Sequence, residues 1–375
     1  MAFLLTDLKN LYVAVRGFHT KRHLIVIESD DWGSIRMPSR DTFLRLQGLG
    51  DHPERDGFLS NDCLESEYDL NELYQVLQSV RDKNGHPAVV TANFALANPD
   101  FEKINIETGD YRYESIVETY KRYYPEDDVF GCIKRGMNEG VLFPQLHCRE
   151  HLNVNRWMKD LKKQKKDTLV AFENKMIGIN ASFSEDNMFG YMDAFNTVES
   201  TNEELAEIII SASEMFSQIF GFKSETFVAS CFVWNQALEQ QLSKLGITGI
   251  QSSPWQYNAL GQNGEYCLKR KIHFTGEKNM LGQFYTVRNC SYEPAYRQDT
   301  DECVSQCLKE IEASFRQSKP AIITSHRFNY ISEINPANAR NNLAGLQSLL
   351  GQIVKFYPDV EFITSPDLIR IMENN

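Results

Sequence analysis

The sequence predicts an α/β chain: a β/α barrel of about seven parallel strands, with an N-terminal helix and a helical insertion. Three observations predict it. Short apolar runs alternate with amphipathic runs along most of the 375 residues. The apolar runs are near-continuous in Val, Ile and Leu, as in strands buried on both faces. The amphipathic runs between them reach ten or more residues, the length of a crossover helix.

Taken in order, strands read at Leu24–Glu28, Ala88–Asn93, Val141–His147, Thr226–Ala229, Thr248–Gln251, Ala321–Ser325 and Val360–Ile363, with Met176–Asn180 as an extra. Helices read at Asp69–Asp82, Val154–Lys163, Glu203–Ile219, Gln236–Leu245, Glu302–Arg316 and Asn338–Phe356. Leu4, Leu5, Leu8, Leu11, Tyr12 and Val15 recur at helical spacing and predict a helix within residues 1–21. Residues 22–372 then form one barrel domain. The stretch 95–140, rich in Tyr, Glu and Asp, reads as a helical insertion. The stretch 254–294, rich in Gly, Asn and Tyr, reads as long loops around a hairpin, and such loops often wall a binding site.

Composition narrows the partners. The apolar share of 42% is that of a globular chain with a core, and the formal net charge of −12 argues against nucleic acid. The one dense basic run, Lys159 to Lys166, reads as a solvated helix face. No stretch approaches the ~20 apolar residues of a membrane span. Eight scattered cysteines do not make a disulfide framework, and no basic, apolar leader opens the chain. A cytoplasmic location is the expectation. Nothing in the sequence speaks to oligomeric state.

Two clusters carry the chemistry. Asp30-Asp31 ends the first strand, and His147-Cys148-Arg149-Glu150-His151 ends the third. In β/α barrels the C-terminal strand ends form the active mouth. Two imidazoles four apart and one carboxylate, Asp31, suit a divalent ion with an open position, Zn²⁺ above all. If the strand turns into a helix, His147 and His151 share one face. Adjacent aspartates point differently, so Asp30 is left as a base. Ile322-Ile323-Thr324-Ser325-His326 brings a third group to the same mouth.

With these residues the chain resembles the polysaccharide deacetylases related to the NodB chitooligosaccharide deacetylase, carbohydrate esterase family 4. Glu28-Ser29-Asp30-Asp31-Trp32-Gly33 stands for the family's Thr-Phe-Asp-Asp-Gly. His147-Cys148-Arg149-Glu150-His151 stands for His-Ser/Thr-x-x-His, and Thr324-Ser325-His326 for Leu-x-His. The order agrees, over roughly residues 22 to 370. The resemblance implies a metal-dependent hydrolase that removes an N-acetyl or related acyl group from an amino sugar or polysaccharide. Asp30 would be general base, His326 general acid, and Asp31, His147 and His151 the metal ligands. Carbohydrate would be the partner, with Trp32, Trp234, Trp255 and Arg327 on the substrate and Tyr257 beside them. The family's Arg-x-Pro-Tyr is replaced by Ser230-Cys231-Phe232-Val233-Trp234, so Arg36, Arg149 or Arg327 is left to orient the base.

Three other readings stay open. One is a glycoside hydrolase using Asp30 and Asp186. Another is a non-catalytic carbohydrate-binding barrel. The third is a metalloprotease, since His147-x-x-Glu150-His151 also fits H-x-x-E-H with Glu150 as base.

Overall fold

The computed structural model describes residues 16–179, 190–259 and 268–375 of the chain. Every expected strand but one is present. The sheet uses β1 (Leu24–Trp32), β2 (Val90–Ala95), β3 (Leu142–Cys148), β4 (Thr226–Val228), β5 (Gly249–Ser252), β6 (Phe284–Val287), β7 (Cys290–Ser291), β8 (Ala321–His326) and β9 (Glu361–Ile363). Their spatial order is β6-β5-β4-β3-β2-β1-β8-β7, with β9 also on β1, and every pairing is parallel. The described sheet thus has nine strands rather than about seven. The added two, β6 and β7, lie in the stretch expected to be loop. They run to only four and two residues, too short for a periodic signal.

These two strands are the edges of the sheet, yet only Arg288 and Asn289 separate them. Consecutive Cα atoms stand 3.80 Å apart, so the edges lie within about 11 Å. The backbone N–H of Arg288 donates to Ser252 O at 3.0 Å, and that of Asn289 to Ile322 O at 3.1 Å. The two-residue link thus bonds β5 on one side and β8 on the other, the strands next to each edge, and the sheet curls into a barrel.

Outside the barrel, helices Glu67–Gln78, Val129–Asn138, Asn202–Phe220, Gln236–Lys244, Thr300–Arg316 and Pro336–Phe356 cover the strands. Their apolar faces share one buried cluster with Ile25, Ile27, Phe94, Leu142 and Ile323. The helix Val129–Asn138 shows that part of the expected insertion is a crossover helix between β2 and β3: Cys132 and Ile133 are buried in that same cluster. Part of the barrel's interior is polar. Asn93, Gln145, Thr226 and Gln251 are fully buried and hydrogen-bond one another, which offsets their burial.

Two expectations are corrected. Residues Met176–Ile179 form no strand, and Arg16–Lys21 no helix. The remainder of the expected N-terminal helix, residues 1–15, lies outside the described residues. Among the described residues no helix is long and apolar enough to cross a membrane.

Candidate metal and catalytic site

The site forms because β1 breaks its register beside β2. A bulge lies between Ser29 and Trp32, and Asp31 there takes φ 73°, a left-handed value that a non-glycine residue adopts at a cost. The bulge turns the adjacent aspartates to different partners. Gly33 completes the turn at φ 80°, where a Cβ would stand 2.5 Å from Ala95 O.

Asp31 faces the two histidines. Its Oδ1 lies 3.4 Å from His147 Nε2 and 3.2 Å from His151 Nε2. Ligands bound to one tetrahedral ion at about 2.0–2.2 Å stand about 3.3–3.6 Å from one another. The two distances to Asp31 are close to that spacing, the three ligand atoms lie within 4.8 Å of one another, and all three residues are buried. His147 Nδ1 donates to Val228 O at 2.8 Å, which fixes the tautomer and leaves Nε2, a buried atom with no hydrogen-bond partner, as a free lone pair. Burial lowers the His151 pKa against the pull of Asp31 and keeps the ring neutral. Burial alone would raise that of Asp31, but His151, Arg36 and His147 hold it well below the carboxylate range. Two imidazole nitrogens with an ionised carboxylate are the donor set a divalent ion requires.

The histidine pair does not sit on a helix. His147 is the next-to-last residue of β3, and His151 follows in a bend that returns its ring 4.8 Å from that of His147. This excludes the H-x-x-E-H reading, which needs one helix. Glu150 is buried, its Oε1 accepting from Arg149 Nε at 2.8 Å, and is engaged away from a base's role.

Asp30 and His326 occupy paired positions on the adjacent parallel strands β1 and β8, with His326 Nε2 4.0 Å from Asp30 Oδ2. Asp30 also accepts from Asn93 Nδ2 at 2.8 Å. Its main partner comes from the seam. Arg288 donates from Nη1 to Oδ2 at 2.6 Å and from Nη2 to Oδ1 at 2.8 Å, while its Nε donates to Glu28 Oε2 at 2.7 Å. Burial opposes ionisation of Asp30, but Arg288, then His147 and His326, outweigh it and set the pKa at about 2. The His326 ring lies with Nδ1 2.6 Å from Glu293 Oε1. Burial works against its charge, yet Glu293, Asp31 and Asp30 lift the pKa to about 9, so the ring is an imidazolium at neutral pH.

Arg288 and Glu293 were not among the expected site residues. The three arginines expected to orient the base do other work. Arg36 donates to Asp31 Oδ2 at 3.0 Å and pairs with Asp62. Arg149 pairs with Glu150, and fully buried Arg327 with Asp62 and Glu65. Arg327 therefore cannot touch substrate. Trp32 and Trp234, expected as sugar platforms, are 1% exposed, their indole N–H groups donating to Ser29 and Glu239. Trp255 stands partly exposed on the hairpin Trp255–Ala259/Leu268–Ile272, with Arg270 over its ring. Asp186 lies outside the described residues.

Asp30, Asp31, His147, His151 and His326 all line one cavity of about 230 Å³. Thr324 Oγ1 accepts from Arg288 Nη1 at 3.1 Å.

No family model and no curated protein matches the chain. Among solved structures it is similar to a 4-alpha-glucanotransferase from Thermococcus litoralis at 9% identity and TM-score 0.46, covering 93% of this chain and 40% of that one. It is similar to a putative polysaccharide deacetylase from Mycobacterium smegmatis at 11% identity and TM-score 0.44, covering 96% and 93%. A probable polysaccharide deacetylase from Pseudomonas aeruginosa aligns at 7% identity and TM-score 0.49, covering 95% and 92%. The chain thus spans two fifths of the glucanotransferase.

Proposed function

We propose that this chain is a metal-dependent amide hydrolase that removes an acyl group from the nitrogen of an amino sugar. The observation that carries the reading is the placement of the Asp31, His147 and His151 cluster beside the Asp30 and His326 pair, at one mouth of the barrel. Bound by that cluster, a divalent ion supplies Lewis acidity, which lowers the pKa of a water toward neutrality and polarises an acyl carbonyl.

The chain's own groups do the rest. Asp30, ionised at every working pH, orients the attacking water and accepts its proton. Arg288 holds both carboxylate oxygens, so Asp30 keeps one orientation while the proton moves. His326 carries the proton that the departing amine needs, and Glu293 keeps it charged. Asp30, Asp31 and His147 are buried, which strengthens the electrostatic effects among them.

The test is amine release from N-acylated glucosamine oligomers with Zn²⁺ added back. Asp30→Asn keeps the side chain's shape and leaves the three ligands in place. It should retain metal and lose about 10²–10⁴ in rate. Full activity in Asp30→Asn, or no amine from any N-acyl sugar with wild type, contradicts the proposal.

A further inference from the structure

Asp31 belongs to a closed ring of polar side chains behind the cavity. Its Oδ2 accepts from Arg36 Nη2 at 3.0 Å, and Arg36 Nε lies 3.1 Å from Asp62 Oδ2. The other oxygen of Asp62 accepts from Arg327 Nη2 at 2.6 Å and from Arg327 Nε at 3.1 Å. Arg327 Nη1 then donates to Glu65 Oε2 at 2.7 Å. Glu65 Oε1 closes the ring by accepting from the backbone N–H of Gly33 at 2.9 Å, two residues beyond Asp31. Asp62, Glu65 and Arg327 are fully buried, and none of the three lines the cavity.

Stability alone is a poor account of this arrangement. Buried ions are costly to desolvate, and apolar residues of the same volume often hold a fold as well or better. What the ring adds is orientation. Asp31 stands at φ 73°, and a strained backbone persists only where its surroundings over-determine it. The ring grips the bulge from both ends, by the Asp31 carboxylate and by the Gly33 peptide. Relaxed to an ordinary strand conformation, Asp31 would alternate to the face opposite Asp30 and leave His147 and His151. Arg327 also directly follows His326, so the ring ties the end of β8 to the end of β1.

We propose that Asp62, Glu65 and Arg327 are positioning residues for the metal carboxylate, and that the ring sets Asp31 in its ligand geometry before the ion arrives. The inference rests on the hydrolase reading above, in which Asp31 is a metal ligand. Glu65 is the member to test. Glu65→Gln keeps the size of the side chain but replaces one accepting oxygen with an amide nitrogen, so either Gly33 or Arg327 loses its acceptor.

The experiment measures Zn²⁺ affinity by competition with a chromophoric chelator, alongside the melting temperature of the metal-free chain. Glu65→Gln should bind zinc about 10- to 100-fold more weakly, the usual worth of a group that orients a ligand. Tyr120 donates to the same Glu65 Oε1 from outside the ring, which makes Tyr120→Phe the control. It should lower the melting temperature and leave zinc affinity as in wild type. Unchanged affinity in Glu65→Gln, or an equal loss in both variants, overturns the proposal and leaves the hydrolase reading standing. Should Glu65→Gln fail to fold, hydrogen exchange of wild type decides. The Gly33 amide should be as protected in the metal-free chain as in the zinc-loaded one. Protection that appears only with zinc means that the ion, not the ring, orders the bulge, and overturns the proposal. A wild type that binds no zinc overturns both readings.

Discussion

Arg288 and Asp30, 258 positions apart, meet through two parallel hydrogen bonds at the centre of the barrel. The pairing depends on closure: Arg288 sits between the two edge strands, so only a curled sheet brings it to the end of β1. A forked guanidinium on a carboxylate fixes orientation as well as charge. We expect Arg288→Lys to fold, since it leaves a cation beside Glu28 and Asp30, but to lower kcat by about 10- to 100-fold with metal content unchanged. Arg288→Met strands two buried carboxylates and should cost about 3–5 kcal/mol of stability by urea denaturation. Unaltered kcat in Arg288→Lys would remove Arg288 from the account of the base.

The His326 pKa predicts the alkaline limb of the rate profile. A raised pKa keeps the acid form through neutrality, and activity falls as pH rises through about 9. In Glu293→Gln the carboxylate partner is gone, so the limb should move toward the ordinary histidine value of about 6.5. A limb that stays in place in this variant tells against Glu293 as the group that keeps His326 charged.

Arg36 offers a separate test of the metal carboxylate. It spans Asp31 and Asp62, and Asp62 is held in turn by Arg327. Partners that orient a ligand typically contribute 10- to 100-fold in affinity. Arg36→Ala should weaken Zn²⁺ binding by about that factor in competition with a chromophoric chelator, while Asp62 keeps Arg327. Unchanged affinity would mean that Asp31 needs no such anchor.

Far from the mouth, Glu361 on β9 receives two hydrogen bonds from Arg22, each 2.7 Å, and pairs with Lys83. The Arg22 hydrogen bond leads in lowering its pKa to about 2, against partial burial. A depressed carboxylate pKa stabilises the fold above the unfolded value of about 4.3 and loses that effect as pH falls toward about 2. Arg22 is 45% exposed, so the pair contributes only about 1 kcal/mol. Glu361→Gln should be less stable than wild type by that amount at pH 7 and equal to it near pH 2. A difference that persists at pH 2 would assign the effect to packing.

Much of the barrel was legible because its strands are continuous Val/Ile runs, as in Leu24–Ile27 and Ala321–Ile323, and its longer helices are periodic. The metal cluster was legible because each half sits where an apolar run stops. The base's partner was not. Arg288 lies between strands of four and two residues, and a contact across 258 positions leaves no local pattern. Trp32 and Trp234 misled for a related reason. An aromatic beside a catalytic motif reads as a platform, but whether it faces the mouth or the core depends on the bulge at Asp31 and on Glu239 beneath Trp234.

The central claim is that Asp31, His147 and His151 hold one catalytic ion. Its most direct test is the zinc content of the dialysed chain, wild type against the His147→Ala/His151→Ala double variant. The account predicts one ion per chain in wild type and essentially none in the variant, with circular dichroism unchanged. Equal content in both, or no bound zinc in wild type at saturating supply, would contradict it.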